Sequence, residues 1–272
     1  MREKKVIYYS DPRNDDFAGN NINTCSVPDD FVYVRKNPAW RAASFVLYYM
    51  IAVPLVWAVS KLYLGIRVRN RRALRSVKGG FYLYSNHTRE LDVFAADMAV
   101  LPRRGYVIAN PDAVSIPGLR HIVMMLGALP IPSGIHGMKN FTEAVRYRRA
   151  GGDCIVIYPE AHIWPFYTGI RDFPDTSLRY PVRDNAPAVV MTVTYRKRSG
   201  LFYFAKKPAM TLTLSEPMYP DASLPAKQAA KELRDRVLAE MKRVSGETVQ
   251  PEYIRYEYRG AEHQPEERDG QK

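Results

Sequence analysis

Cysteine is scarce, with Cys25 and Cys154 the only two in 272 residues. They lie far apart and lack metal-ligand spacing, which excludes a disulfide framework and a thiolate zinc site and fits a reducing, cytoplasmic setting. No G-x-S-x-G stretch occurs, so the exposed serine of a nucleophile elbow is missing, and no segment repeats. Residues 1–40 hold no apolar run near Met1 and carry Asp15-Asp16 and Asp29-Asp30, so they read as an irregular polar arm and not as a signal peptide. Acidic residues are the other shortage. Asp and Glu number 28 against 40 Lys and Arg, a formal charge of +12. That excess calls for a polyanionic partner, an acidic bilayer surface or nucleic acid.

Apolar side chains make up 46% of the chain, enough for one sizeable core with appendages. Residues 42–59 are eighteen positions without a charge, just short of the about 20 that cross a bilayer. Pro54 is expected to kink this stretch. Tyr48, Tyr49, Trp57 and Tyr63 suit the headgroup boundary, and the pattern predicts a helix that enters or lies on a membrane. Lys61, Arg67, Arg69, Arg71, Arg72 and Arg75 follow at once. Beside an apolar helix they read as a clamp on anionic headgroups, which makes nucleic acid the weaker partner.

Residues 81–85, aromatic and extended after Gly79-Gly80, predict a strand, and residues 89–100 predict a helix stopped by Pro102. His87 falls in the turn between them. On one continuous helix His87 and Asp92 would stand roughly 140° apart. A helix capped by Thr88 leaves His87 outside it, free to fold back so that Asp92 reaches its imidazole. A carboxylate on one ring nitrogen fixes the tautomer and leaves the other to accept a proton.

Farther on, the run from Gly127 to Ile131 is followed by Pro132-Ser133, and residues 138–150 read as a basic helix that includes Lys139. Residues 154–158 form an apolar strand that delivers Pro159-Glu160. An aromatic and charged loop with Arg171 and Arg179 follows, then Asn185-Ala186-Pro187 and an apolar strand over 188–195. A strand pair is expected at 201–205 and 209–214, then a helix over 225–244 capped by Ser223, and a disordered polar tail.

In order and spacing these elements resemble the glycerolipid acyltransferases, the family of 1-acylglycerol-3-phosphate acyltransferases. Asn86-His87 and Asp92 match the family's first signature, Gly127 the start of the second, Pro159-Glu160 the start of the third, and Pro187 the fourth. The family's second motif ends in an arginine for the acceptor phosphate where this chain has Ser133. Its third reads Pro-Glu-Gly-Thr-Arg, where Ala161, His162 and Ile163 replace the last three residues.

The resemblance implies an α/β fold, one catalytic domain over 64–245 with a mostly parallel or mixed sheet flanked by helices, the apolar helix at 42–63, an arm before it and a tail at 246–272. It implies His87 as general base and Asp92 as its orienting partner. Glu160 and Pro159 then belong to the acceptor site with Gly127, and Arg89 assists. Arg171, Arg179 or Lys139 replaces the missing phosphate arginines. Acyl-CoA or acyl carrier protein donates the acyl group as co-substrate, with no cofactor, no metal and no acyl-enzyme, on the cytoplasmic face of a membrane in phospholipid biosynthesis. Backbone N–H groups at the start of the helix are candidate oxyanion donors. A neutral lipid or glycolipid acceptor, a lipid hydrolase and a non-catalytic membrane-binding homologue are the alternatives.

Overall fold

Side chains of a strand alternate between faces, and in β3 (Phe81–Ser85) both faces are apolar. Phe81 and Leu83 enter one layer and Tyr82 and Tyr84 the other, so this strand lies at the centre of the molecule. The computed structural model describes residues 5–17, 25–90, 92–116, 118–199, 203 and 207–260. Apart from β1 (Lys5–Tyr9), its strands before β3 comprise only β2 (Arg67–Arg69). After β3 come α2 (Asp92–Val100), β4 (Gly105–Ala109), α3 (Arg120–Leu126), β5 (Ala128–Pro130), α4 (Gly137–Ala150) and β6 (Cys154–Ile157). Then follow α5 (Arg179–Asp184), β7 (Ala188–Arg196), β8 (Ala209–Leu214), α6 (Ala226–Glu247) and β9 (Ile254–Tyr258).

The seven-stranded sheet has the order β2-β8-β7-β3-β6-β4-β5. It is mixed: β7 and β8 are antiparallel, and every other neighbouring pair is parallel. Residues 201–202 and 204–206 of the expected strand pair lie outside the described residues; β8 pairs with β7 and β2. Helices cover both faces. Phe141 and Val145 of α4 and Leu233, Val237 and Met241 of α6 seal one, while Ala95, Ala96 and Ala99 of α2 seal the other. Because β3 and β6 are parallel neighbours, the turns after both open side by side at one edge of the sheet.

Four local expectations need correction. The helix after β3 begins at Asp92, not Thr88, because the Asp92 side chain takes the N–H groups of Thr88 and Arg89 and holds a separate turn ahead of it. Pro225 and not Ser223 precedes α6, and Ser223 bonds Asp221 instead. The arm and tail are not structureless where they are described: β1 and β9 form a parallel two-stranded sheet of their own. Tyr256 of that sheet stacks on Trp164 at 5.0 Å between ring centroids, so aromatic burial outweighs the polar composition that suggested disorder.

The fourth concerns α1 (Pro38–Leu64), which is 27 residues long with mean hydropathy 1.9, long and apolar enough to cross a membrane. It stays helical through Pro54. A π-helical stretch over Val46–Ala52 precedes the proline, and the N–H of Val53 reaches back five residues to the Tyr48 carbonyl, which adjusts the ladder around the missing donor. Ser44, Tyr48, Ser60 and Leu64 fall on one face and are buried. The Tyr48 hydroxyl donates to Asp97 of α2 at 2.8 Å. Phe45, Met50, Leu55, Trp57, Leu62 and Tyr63 remain exposed on the other side.

Candidate active site

Asn86 is the first residue past β3, and its buried amide bridges the Val193 backbone, donating to the carbonyl at 3.0 Å and accepting the N–H at 2.8 Å. That clamp ties the turn to β7. Thr88 is held by the Tyr195 hydroxyl, which donates to its Oγ1 at 2.7 Å, and its carbonyl accepts the Phe166 N–H at 3.0 Å. His87 lies between these two fixed points.

Asp92 is fully buried, and its Oδ2 accepts the N–H groups of Thr88 and Arg89, both at 2.7 Å. The same oxygen stands 3.5 Å from Nδ1 of His87. That is longer than a formed hydrogen bond, and both His87 Nδ1 and Asp92 Oδ1 are buried without one. A small rotation of the imidazole pairs them, the tightening expected of a catalytic contact when substrate arrives. The ring stacks on Tyr158 at 4.2 Å and 23°. Burial pushes the Tyr158 hydroxyl well above its usual range, with the Asp92 charge adding to the effect, and that hydroxyl has no hydrogen-bond partner among the described residues. With Nδ1 turned to Asp92, Nε2 is the nitrogen left for an acceptor hydroxyl. The N–H groups of Thr88 and Arg89, expected as oxyanion donors, are instead consumed by Asp92.

Glu160 lies just past β6 and Pro159, with its carboxylate turned inward. Its Oε2 accepts the His87 N–H at 3.4 Å, its Oε1 accepts the Arg171 N–H at 2.9 Å, and the Arg171 guanidinium completes an ion pair at 3.3 Å. Burial raises its pKa, opposed chiefly by the Arg171 charge. Glu160 therefore holds the His87 turn from behind. Ala161 has φ +64°, the left-handed region that favours glycine, at the place where the third motif of the glycerolipid acyltransferases has one.

The other residues singled out in the sequence go separate ways. Arg171, with a side chain only 2% exposed, also donates to the carbonyls of Pro12 and His162 and stacks over Trp164, so it is a buried brace and not an open phosphate ligand. Gly127 closes α3 at φ +112°; a Cβ there would meet the Gly105 carbonyl at 2.5 Å. It serves packing at the start of β5, the edge opposite His87. Arg179 and Lys139 are exposed, and among the described residues neither bonds to a site residue. Ser133, where the family has an arginine, accepts the Val27 N–H of the N-terminal arm at 2.9 Å. Arg89 stays with the turn, its guanidinium over Phe166 at 5.0 Å.

The local reading of the sequence passed over a cation group at the same end of the sheet. Arg196 ends β7 and Arg198 follows it; a cavity of about 270 Å³ is lined by both together with Lys61 and Arg67. Burial lowers the pKa of Arg198, and the Arg89 charge lowers it further, so Arg89 and Arg198 feel each other. The signal was present as Arg196-Lys197-Arg198 directly after an apolar strand. Tyr158 was equally visible as the last residue before Pro159, but read only as apolar filling.

A buried carboxylate behind a histidine, at the mouth of a mixed α/β sheet, is an arrangement suited to a general base. A family model described as Acyltransferase matches residues 65–213, more than half of the chain, and the protein belongs to that family. Among solved structures the fold is similar to that of the 1-acyl-sn-glycerophosphate (LPA) acyltransferase PlsC from Thermotoga maritima, at 16% identity and a TM-score of 0.54, covering 80% of this chain and 87% of that one. No curated protein matches the sequence.

Proposed function

We propose that the protein moves a fatty acyl group from acyl-CoA or acyl carrier protein to the free hydroxyl of a 1-acylglycerol-3-phosphate-like lysophospholipid, at the cytoplasmic face of a membrane. The observation that carries this reading is the contact of His87 Nδ1 with buried Asp92 inside an acyltransferase family match. His87 Nε2 takes the hydroxyl proton as the oxygen attacks the thioester carbonyl. Proton transfer to such a base contributes about 10²–10⁴ in rate, and Asp92 orients the ring and stabilises the imidazolium so formed. The tetrahedral adduct then collapses, the C–S bond breaks, and His87 gives its proton to the departing sulfur, so that a free thiol leaves and the neutral imidazole is restored. No covalent enzyme intermediate is needed.

Arg89 and Arg198 are the cations best placed for the acceptor phosphate, in place of Arg171. The cavity lined by Arg198, Arg196, Lys61 and Arg67 lies at the last turn of α1, so an acceptor with its chains beside that helix would present its headgroup there, within the field of Arg89. The exposed apolar face of α1, opposite a stripe docked on the domain, favours a helix lying in the interface over one crossing the bilayer. A neutral hydroxyl acceptor is the second reading, favoured by Ser133 and Ile163 where the related family has arginines.

Mass spectrometry of purified protein with acyl-CoA or acyl carrier protein thioesters and a panel of phosphate-bearing and neutral acceptors tests both. Acylation of the phosphate-bearing lysolipid supports the proposal. Transfer only to neutral acceptors selects the second reading, and free fatty acid or no product overturns acyl transfer.

A further inference from the structure

At the opposite edge of the sheet from His87 the chain builds a second basic cavity. It has a volume of about 580 Å³ and lies where the segment entering α1 crosses the start of β4 and the end of α4. Arg35, Lys36, Arg41, Arg104 and Arg148 line it, and no carboxylate does. Among the described residues none of these five makes an ion pair. The acids that feel these arginines are Asp153, whose pKa burial raises against the pull of Arg148 and Arg104, and Asp97, which burial pushes up to about 7 and which already accepts the Tyr48 hydroxyl. The cavity therefore has a strong net positive potential.

Its arginines are fixed rather than free. Arg35 stacks over Trp40 at 4.4 Å, Arg104 over Tyr48 at 4.5 Å and Arg148 over Tyr106 at 4.5 Å. The Nε of each is buried with no hydrogen-bond acceptor. Arg104 is anchored further by donating to the Ser44 hydroxyl and the Met125 carbonyl, and five cations around one recess with no carboxylate on its wall, three of them held by aromatic faces, are a set prepared for an anion. Phe45, on the exposed side of α1, forms part of the same wall, so the charged recess opens directly onto the apolar helix face. A ligand that satisfies both must carry phosphate next to hydrocarbon.

We infer that this cavity binds the headgroup of an anionic phospholipid whose chains lie along the exposed face of α1, separate from the catalytic turn. Basic recesses beside membrane-associated helices recognise such headgroups by this chemistry. The inference does not depend on acyl transfer, because its test reads lipid partition and not turnover.

The experiment is flotation of the full chain with phosphatidylcholine vesicles, with and without phosphatidylglycerol. Arg35→Ala with Arg148→Ala should weaken binding to the anionic vesicles roughly ten- to thirty-fold, at about a factor of five per charge, while binding to neutral vesicles stays parental. Arg35→Gln with Arg148→Gln, which keeps side-chain length, should show the same loss if the alanine pair proves unstable. Removing two exposed charges of α6, Lys227→Ala with Lys242→Ala, should cost clearly less. Equal losses from both pairs would reduce the effect to diffuse surface charge and overturn the site, as would parental binding by the first pair. Full displacement from anionic vesicles by millimolar inorganic phosphate or glycerophosphate, at matched ionic strength, would show a soluble anion to be the ligand and overturn the lipid assignment.

Discussion

Glu160→Gln separates a brace from a substrate ligand. In the structure the carboxylate accepts from the His87 N–H, the Arg171 N–H and the Arg171 guanidinium, and both side chains are almost wholly buried. An amide keeps one oxygen and brings an NH₂ that has to face one of those donors. With the NH₂ in place of Oε2 the His87 N–H and the guanidinium both lose their acceptor, with it in place of Oε1 the Arg171 N–H does, and in either case Arg171 becomes a buried cation without its counter-charge. Breaking such a pair costs about 3–5 kcal/mol, which in a chain of this size lowers Tm by roughly 10 °C. Because the lost bond includes the His87 backbone, kcat should fall for every acceptor alike while acceptor KM changes little. Thermal unfolding with steady-state kinetics in both substrates measures this. Adding Arg171→Met should restore part of the lost stability, since the unpaired cation is then gone. A Glu160→Gln protein of parental Tm whose only defect is a raised acceptor KM would refute the argument and put Glu160 against the acceptor, as the resemblance first implied.

His87→Ala should abolish transfer with little change in Tm, because the imidazole is held by one ring stack and a loose contact; mutant turnover above a tenth of parental removes it as base. Asp92→Asn should cost both activity and stability, since its oxygen also holds two N–H groups of the turn; unfolding and turnover assays that show only one of the two losses would split these roles. Arg198→Ala and Arg89→Ala should each raise KM for a phosphate-bearing acceptor roughly ten- to a hundred-fold, leaving the thioester KM near parental; parental acceptor kinetics in both would remove these two cations as the phosphate ligands. Asp97, pushed up to about 7 from 3.8 by burial, binds its proton more tightly folded than unfolded. Its contribution to stability is therefore present below the unfolded value and lost as pH rises from about 4 through 7, on the order of 4 kcal/mol, and Asp97→Asn should flatten that slope in denaturant titrations across the range.

Local physical chemistry determined a good deal here. The strand at 81–85, the His87 turn, the apolar strand before Pro159 and Glu160, and the apolar helix after Arg41 were all readable, because each depends on residues a few positions apart. The mixed sheet followed from the order of those elements. Tertiary structure alone decided which way side chains face and which distant segments meet. Arg171 looked like a phosphate ligand by charge and position, but the aromatic platform of Trp164 and the carboxylate of Glu160 draw it inward. Gly127 looked like part of a binding motif, but the close approach of the Gly105 carbonyl explains it. The pairing of β1 with β9 joins the two ends of the described chain, and no local composition reports such a partner. The same holds for the cation groups: Arg89 with Arg198, and Arg35 with Arg104 and Arg148, come from elements far apart in sequence. Folding places them together because the sheet order, set by burial on both faces of β3, brings their elements to shared edges.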